Sequence, residues 1–257
     1  MTTMTPTRTA GHAFTLCWRS AMKLKHSPEQ LLEITLQPVV LVAIFVFLFG
    51  GAISGSWHDY LPYVLPGIMA QTIVLSSMGT GVGLNSDIRN GVFDRLRAMP
   101  IARSAPLLGT IIFDVLRYLV AGLVVLAFGM LLGFRVHGGP LGAIAAFSLM
   151  IAFAFALCWA WVLLGLVVAS PTTLQAVGFV VMLPLTFGSN LLVATNTLPG
   201  WLQAWVTINP VTYLSDAVRG LLVGGAVRVP ATGLLIWVVA LTGVFAPLAV
   251  RAYRRRA

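Results

Sequence analysis

Asp114 and Arg117 stand three residues apart in Pro106–Leu132, a stretch with no other charged side chain. At this spacing on a helix the two charges share a face and can neutralise each other. An ionisable group in such apolar surroundings is a candidate for a proton relay or for substrate contact. The same pair can equally serve to fix helix packing. Asp114 lies about 12 Å along a helix from Pro106, at a rise of about 1.5 Å per residue. Asp216 and Arg219 repeat the spacing further along the chain. A third charged group is the segment Ser86–Arg103, where Arg89, Arg95, Arg97 and Arg103 face only Asp87 and Asp94. Its middle, Val92–Met99, reads as a short helix halted by Pro100. Val92, Phe93, Leu96 and Met99 recur at helical spacing, so one face is apolar and the other ionic. A helix of that kind can dock in a groove on a partner, or can be a solvated connector.

Other chemistry is absent. No G-x-x-x-x-G-K-[ST] motif occurs, and the only lysines are Lys23 and Lys25, so nucleotide phosphates are not cradled by that route. His12, His26, His58 and His137 are scattered without metal-ligand spacing. No serine stands in a plausible constellation with a histidine and a carboxylate. Cys17 and Cys158 fall in different kinds of segment, which predicts no disulfide. The reading is therefore no catalytic residue, no metal and no cofactor bound by this chain.

The elements that must position these residues are membrane spans. The chain is 58% hydrophobic and 9% charged, against roughly 25% charged in a soluble domain. Val136–Ser215 contains no Lys, Arg, Asp or Glu. The fold class is thus an all-α integral membrane protein, with residues 1–257 forming a single domain. Six spans of about 20 residues are predicted: Thr35–Ile53, Tyr60–Leu84, Pro106–Leu132, Leu141–Ala169, Thr173–Val193 and Ala231–Val250. Pro62, Pro66, Gly67, Gly165 and Pro184 inside them mark kinks or close packing. The first apolar run starts too deep and is too long for a signal peptide.

Basic residues set the orientation. Arg8, Arg19, Lys23 and Lys25 precede the first span, four arginines follow the second, and Arg251, Arg254, Arg255 and Arg256 close the chain. Only Arg135, Arg219 and Arg228 fall on the opposite side. Both termini are expected in the cytoplasm. The net charge of +9 then faces anionic lipid headgroups, and nucleic acid is not a predicted partner.

Two further segments are patterned. Phe14, Cys17, Trp18 and Ala21 share a helical face away from Arg19, Ser20 and Lys23, which predicts an interfacial helix within residues 1–33. Thr197–Trp205 reads as a short helix with Pro199 in its first turn and Trp201 within it. Asn209-Pro210 then reads as an N-cap followed by proline at N1. Val211, Leu214, Val218, Leu221 and Leu222 form one apolar face, Asp216 and Arg219 pair on the other, and Gly224-Gly225 stops the helix. Neither helix is long enough to span. They form either a hairpin that dips into the membrane and returns, or surface helices packed on span ends.

Three local patterns resemble the permease subunits of ABC-2-type exporters, most of all the daunorubicin/doxorubicin-resistance permeases. They are Leu36-Gln37-Pro38 leading to Leu48-Phe49-Gly50-Gly51-Ala52-Ile53; the run from Asp87 to Arg103; and Leu198–Leu202 followed by Asn209–Gly220. The resemblance covers nearly the whole chain. It implies a bacterial cytoplasmic-membrane exporter subunit with six spans. It implies a second permease subunit, identical or not, and two separate ATPase subunits that hold ATP and Mg²⁺. It further implies that Asn90, Gly91, Val92, Phe93, Asp94, Arg95, Leu96, Arg97 and Met99 form the coupling helix seated in the ATPase. Phe14, Trp18 and Arg19 would belong to the interface helix, and Leu198–Gly224 to an extracellular re-entrant hairpin. The implied substrate is a hydrophobic or amphipathic drug, antibiotic or lipid. Related permeases export polysaccharide or teichoic-acid precursors, and an ion-driven secondary transporter using Asp114 is the reading from a different class.

Overall fold

The computed structural model describes residues 28–91 and 105–256. All regular structure among the described residues is helical. Helix α1 (Pro28–Ala43) runs into a π-helical stretch, Ile44–Phe49, and a short helix α2 (Gly50–Ser54). Gly55, at φ 75°, ends it in the left-handed conformation. Helix α3 (Trp57–Arg89) is capped by Ser56, whose side chain accepts from the backbone N–H of His58. There follow α4 (Ala105–Leu131), α5 (Gly139–Val167), α6 (Pro171–Phe187), a 3-10 turn at Thr195–Thr197, α7 (Gly200–Ile208), α8 (Pro210–Val223) and α9 (Arg228–Arg256).

Among the described residues, five stretches are long and apolar enough to cross a membrane: Thr35–Ser54, Trp57–Arg89, Phe113–Leu131, Gly139–Val167 and Arg228–Tyr253. The fifth expected span needs correction. Its helix, α6, has 17 residues and stops at Phe187, not at Val193. Pro184 brings no N–H into the last turn. Pro184 O accepts from the Gly188 N–H at 3.1 Å, and side chains reach the carbonyls there as well. Trp205 Nε1 donates to Pro184 O at 3.3 Å, and Asn209 Nδ2 donates to Leu185 O at 2.9 Å and Gly188 O at 2.8 Å. The chain then continues as a buried, non-helical segment through Ser189, Asn190 and Leu191.

Helix α3 is the axis of the bundle. Of its apolar stretch 67% is buried, against 22% for the first stretch and 11% for α9. It packs against α4, α5, α6 and α8. Missing side chains permit the closest approaches. A Cβ on Gly67 would lie 2.3 Å from Leu191 O, and one on Gly165 would lie 2.7 Å from Gly81 O. Both glycines therefore let backbone meet backbone.

The packing also sorts the loops into two ends. His137 N–H donates to Leu222 O at 2.8 Å, and Tyr60 and Tyr63 reach the carbonyls of Leu192 and Asn190. Residues near Trp57, His137, Asn190 and Leu222 thus share one end. The other end holds Arg89, the α5–α6 turn and, at the far end of α9, Arg251.

Candidate functional site

The second half of α3 carries a polar face in an apolar bundle. Thr80 Oγ1 donates to Asp114 Oδ2 at 2.6 Å. Arg117 Nη2 lies 3.1 Å from Asp114 Oδ1 and donates to Ser76 O at 2.6 Å. Both carboxylate oxygens are therefore engaged, and Asp114 is only 7% exposed. Gly79 makes room for the guanidinium, since a Cβ there would lie 2.8 Å from Arg117 Nη1. The Tyr118 hydroxyl stands 3.3 Å from Thr80 Oγ1 and 3.2 Å from Cys158 Sγ, which extends the network to α5. Such an arrangement ties α3, α4 and α5 together through partnered polar groups.

Beside Ser76 on α3, Ser77 Oγ accepts from Trp161 Nε1 of α5 at 3.0 Å. Asn85, 3% exposed, donates through Nδ2 to Gly165 O at 2.7 Å and Val168 O at 2.9 Å. These are carbonyls at the C-terminus of α5, which have no partner within their own helix. Helix α3 then ends. Asn90 N–H donates to Ser86 O at 3.0 Å, and Gly91 takes φ 65°. Asn90 and Gly91 are thus the turn by which the chain leaves α3 for the arginine-rich segment. Val92, Phe93, Asp94, Arg95, Leu96, Arg97 and Met99 lie outside the described residues, as do Phe14, Trp18 and Arg19.

A second cluster sits at the Trp57 end. Arg219 Nη1 lies 2.7 Å from Asp216 Oδ1, which also accepts from Asn190 Nδ2 at 2.7 Å. Arg219 Nη2 donates to Ser215 Oγ at 3.0 Å and Asn190 O at 3.2 Å. Its Nε donates to Tyr63 O at 3.2 Å, and its guanidinium lies 3.9 Å from the centre of the Tyr63 ring. Tyr60 and Tyr63 donate to Leu192 O at 2.6 Å and Asn190 O at 2.8 Å. These contacts satisfy the non-helical backbone after α6, as buried irregular chain requires.

Among the other predicted residues, Asn209 Oδ1 accepts from Val211 N–H at 2.9 Å, with Pro210 at the first position of α8. Pro199 is the residue before α7 and Trp201 is 76% exposed. Val211, Leu214, Val218 and Leu222 are fully buried. The structure brings Asp216 and Arg219 together, and Asp114 and Arg117 together, against opposite halves of α3. Sequence reasoning missed Ser76, Thr80 and Asn85 on α3, Tyr118 on α4, Cys158 on α5, and Tyr60, Tyr63 and Asn190. Their only signal was a polar side chain in an apolar run; periodicity names no cross-helix partner. Among the described residues no group of histidine, cysteine or carboxylate side chains could hold a metal.

Comparison with known proteins places this architecture. Residues 12–223 match the ABC-2 type transporter family. The daunorubicin resistance ABC transporter permease protein DrrB1 of Streptomyces coeruleorubidus is 42% identical over 240 residues, 93% of this chain and 84% of that protein. The probable doxorubicin resistance ABC transporter permease protein DrrC of Mycobacterium tuberculosis is 29% identical over 85% of this chain and 79% of its own length. The putative transport permease ycf38 of Cyanophora paradoxa is 30% identical over 80% of this chain and 72% of that protein. The chain belongs to the ABC-2 type transporter family. It is a multi-pass membrane permease subunit of an ABC exporter, and ATP hydrolysis lies in a partner.

Proposed function

We propose that this ABC-2 permease exports anthracycline-like, amphipathic aromatic compounds. The observation that carries the reading is the 42% identity to a daunorubicin resistance permease over 93% of the chain. Six spans cross the membrane. Helix α6, at about 25 Å, makes the fifth with the buried segment that follows it. Both termini and residues 90–99 lie in the cytoplasm, where the bases cluster. Two permease subunits pair, and two ATPase subunits hold ATP and Mg²⁺ beneath them. Residues 90–99 seat in the ATPase as the coupling helix, with residues 1–33 as the interfacial segment. Residues 198–224 form the extracellular hairpin, clamped onto α3 by Arg219. Asp114 and Arg117 serve as a packing pair. The engagement of both Asp114 oxygens supports that role over a proton relay.

The test is reconstitution of the chain with its partner ATPase. Daunorubicin should stimulate ATP hydrolysis, and inverted vesicles should accumulate the drug only with ATP. Stimulation by a polyprenyl-linked sugar but not by daunorubicin would move the substrate to the polysaccharide and teichoic-acid class. Drug uptake driven by a pH gradient without any ATPase would overturn the reading.

A further inference from the structure

Asn85 stands five residues before the turn at Asn90, about 7 Å along the helix, and its amide leaves α3 altogether. It bonds the carbonyls of Gly165 and Val168 at 2.7 and 2.9 Å. Val168, at ψ 143°, is where α5 ends. Two residues later Ser170 accepts from Thr173 N–H at 3.1 Å and starts α6. One turn back from Asn85, on the same face of α3, Gly81 meets Gly165. A Cβ on either glycine would come within 2.7 Å of a backbone carbonyl oxygen of the other helix. The end of α3 and the α5–α6 turn are thus joined by a buried two-pronged hydrogen bond and by direct backbone contact. Neither attachment leaves room for sliding. Helix α6, in contrast, is buried only along the narrow stripe Leu174, Gly178, Met182 and Thr186. It packs along that stripe directly on α3, with Gly178 against Met78, and at the Arg89 end its N-terminus continues from the α5–α6 turn.

From this geometry we infer that Asn85 is the positioning residue that carries displacement of residues 90–99 into α6, by tying the end of α3 to the α5–α6 turn. The inference rests on the reading of residues 90–99 as the ATPase contact. When that segment moves, the last turns of α3 move with it. The Asn85 amide passes the motion to Val168, and so to the start of α6. The Asp114–Arg117 pair holds the same half of α3 to α4, so the motion of α4 follows.

The experiment uses the full permease–ATPase complex with daunorubicin as probe. Asn85→Leu should assemble and hydrolyse ATP at the wild-type rate, while drug moved per ATP falls roughly ten-fold, within the usual range of coupling free energies. Full transport per ATP in Asn85→Leu would overturn the inference and leave the ATPase contact untouched. Phe93→Ala with Leu96→Ala separates the two ideas, because it should lose ATPase association or coupling. Wild-type coupling in that variant would instead remove the premise, and the inference with it. Should Asn85→Leu fail to fold, Asn85→Cys with Val168→Cys decides the matter. The reference is a background with Cys17 and Cys158 replaced by serine. Transport per ATP should be low with both thiols free and return to the reference on bridging them with a short bifunctional thiol reagent. Bridging that abolishes transport, bridging that leaves it low, or full transport before bridging would each overturn the inference.

Discussion

Arg117 shows how little of a charge pair is the pair itself. Its guanidinium meets Asp114, the carbonyl of Ser76 and the space above Gly79, while Thr80 takes the second carboxylate oxygen. Removing one ion strands the other in a poorly solvated site, at a cost of about 3–5 kcal/mol where such pairs have been broken. Replacing both with apolar groups strands no charge, and Thr80 Oγ1 keeps the Tyr118 hydroxyl within 3.3 Å. Arg117→Leu should therefore lower the yield of folded protein and its melting temperature in detergent, and Asp114→Leu with Arg117→Leu should recover part of both. A double variant no better than the single one would show that the two charges act separately. Transport adds a second reading. A double variant that folds, assembles and still transports excludes a proton relay through Asp114; one that folds and assembles but is inactive places the pair on the substrate path.

At the scale of elements, Asn209 joins three of them, and its backbone N–H closes the end of α7 on Trp205 O at 3.1 Å. Its carbonyl oxygen caps α8, while its amide nitrogen closes the end of α6 through Leu185 O and Gly188 O. Asn209→Ser keeps a capping oxygen and loses the two amide donations; Asn209→Ala loses every side-chain bond. N-cap removal alone costs about 1 kcal/mol, so melting temperature should fall in the order wild type, Asn209→Ser, Asn209→Ala. Equal loss in the two variants would mean that α8 capping contributes nothing. The coupling segment is tested at the same scale. Truncating a buried anchor commonly costs ~2 kcal/mol or more, so Phe93→Ala with Leu96→Ala should stop co-purification of the ATPase or uncouple hydrolysis from transport, with the spans still inserted. Normal coupled transport would rule the segment out. The elements themselves were legible where one helix carries its own signal. Asn209-Pro210 announced the start of α8, and the stripe Val211, Leu214, Val218, Leu221, Leu222 announced its buried face, with Leu221 alone only partly buried. The end of α6 was not legible. Residues 188–193 are apolar enough to continue a span, and the groups that stop the helix, Trp205 and Asn209, come from later in the chain. Asn85 and Thr80 were invisible for the same reason: their partners lie on other helices.

For the whole molecule, packing fixes which loops share an end, and the proposed orientation rests on the distribution of bases. His137 bonds Leu222, and Arg219 bonds both Tyr63 and Asn190. The loops before α3, between α4 and α5, and from α6 to α9 therefore stand or fall together in orientation. Arg89 and Arg251 lie at the other end with the α5–α6 turn. On the proposed orientation, which follows the positive-inside asymmetry, that second end faces the cytoplasm. Single cysteines at Asp59, His137 and Arg228, in a background lacking Cys17 and Cys158, should react with a membrane-impermeant maleimide added to intact cells. Cysteines at Arg97 and Arg254 should react only after the membrane is opened. The set carries more weight than any one position, because the packing allows no mixed outcome among Asp59, His137 and Arg228. Labelling of one without the others would contradict the helix arrangement itself. External labelling at Arg97 would reverse the orientation, and with it both the seating of residues 90–99 in an ATPase and the route from that segment through Asn85 to α6.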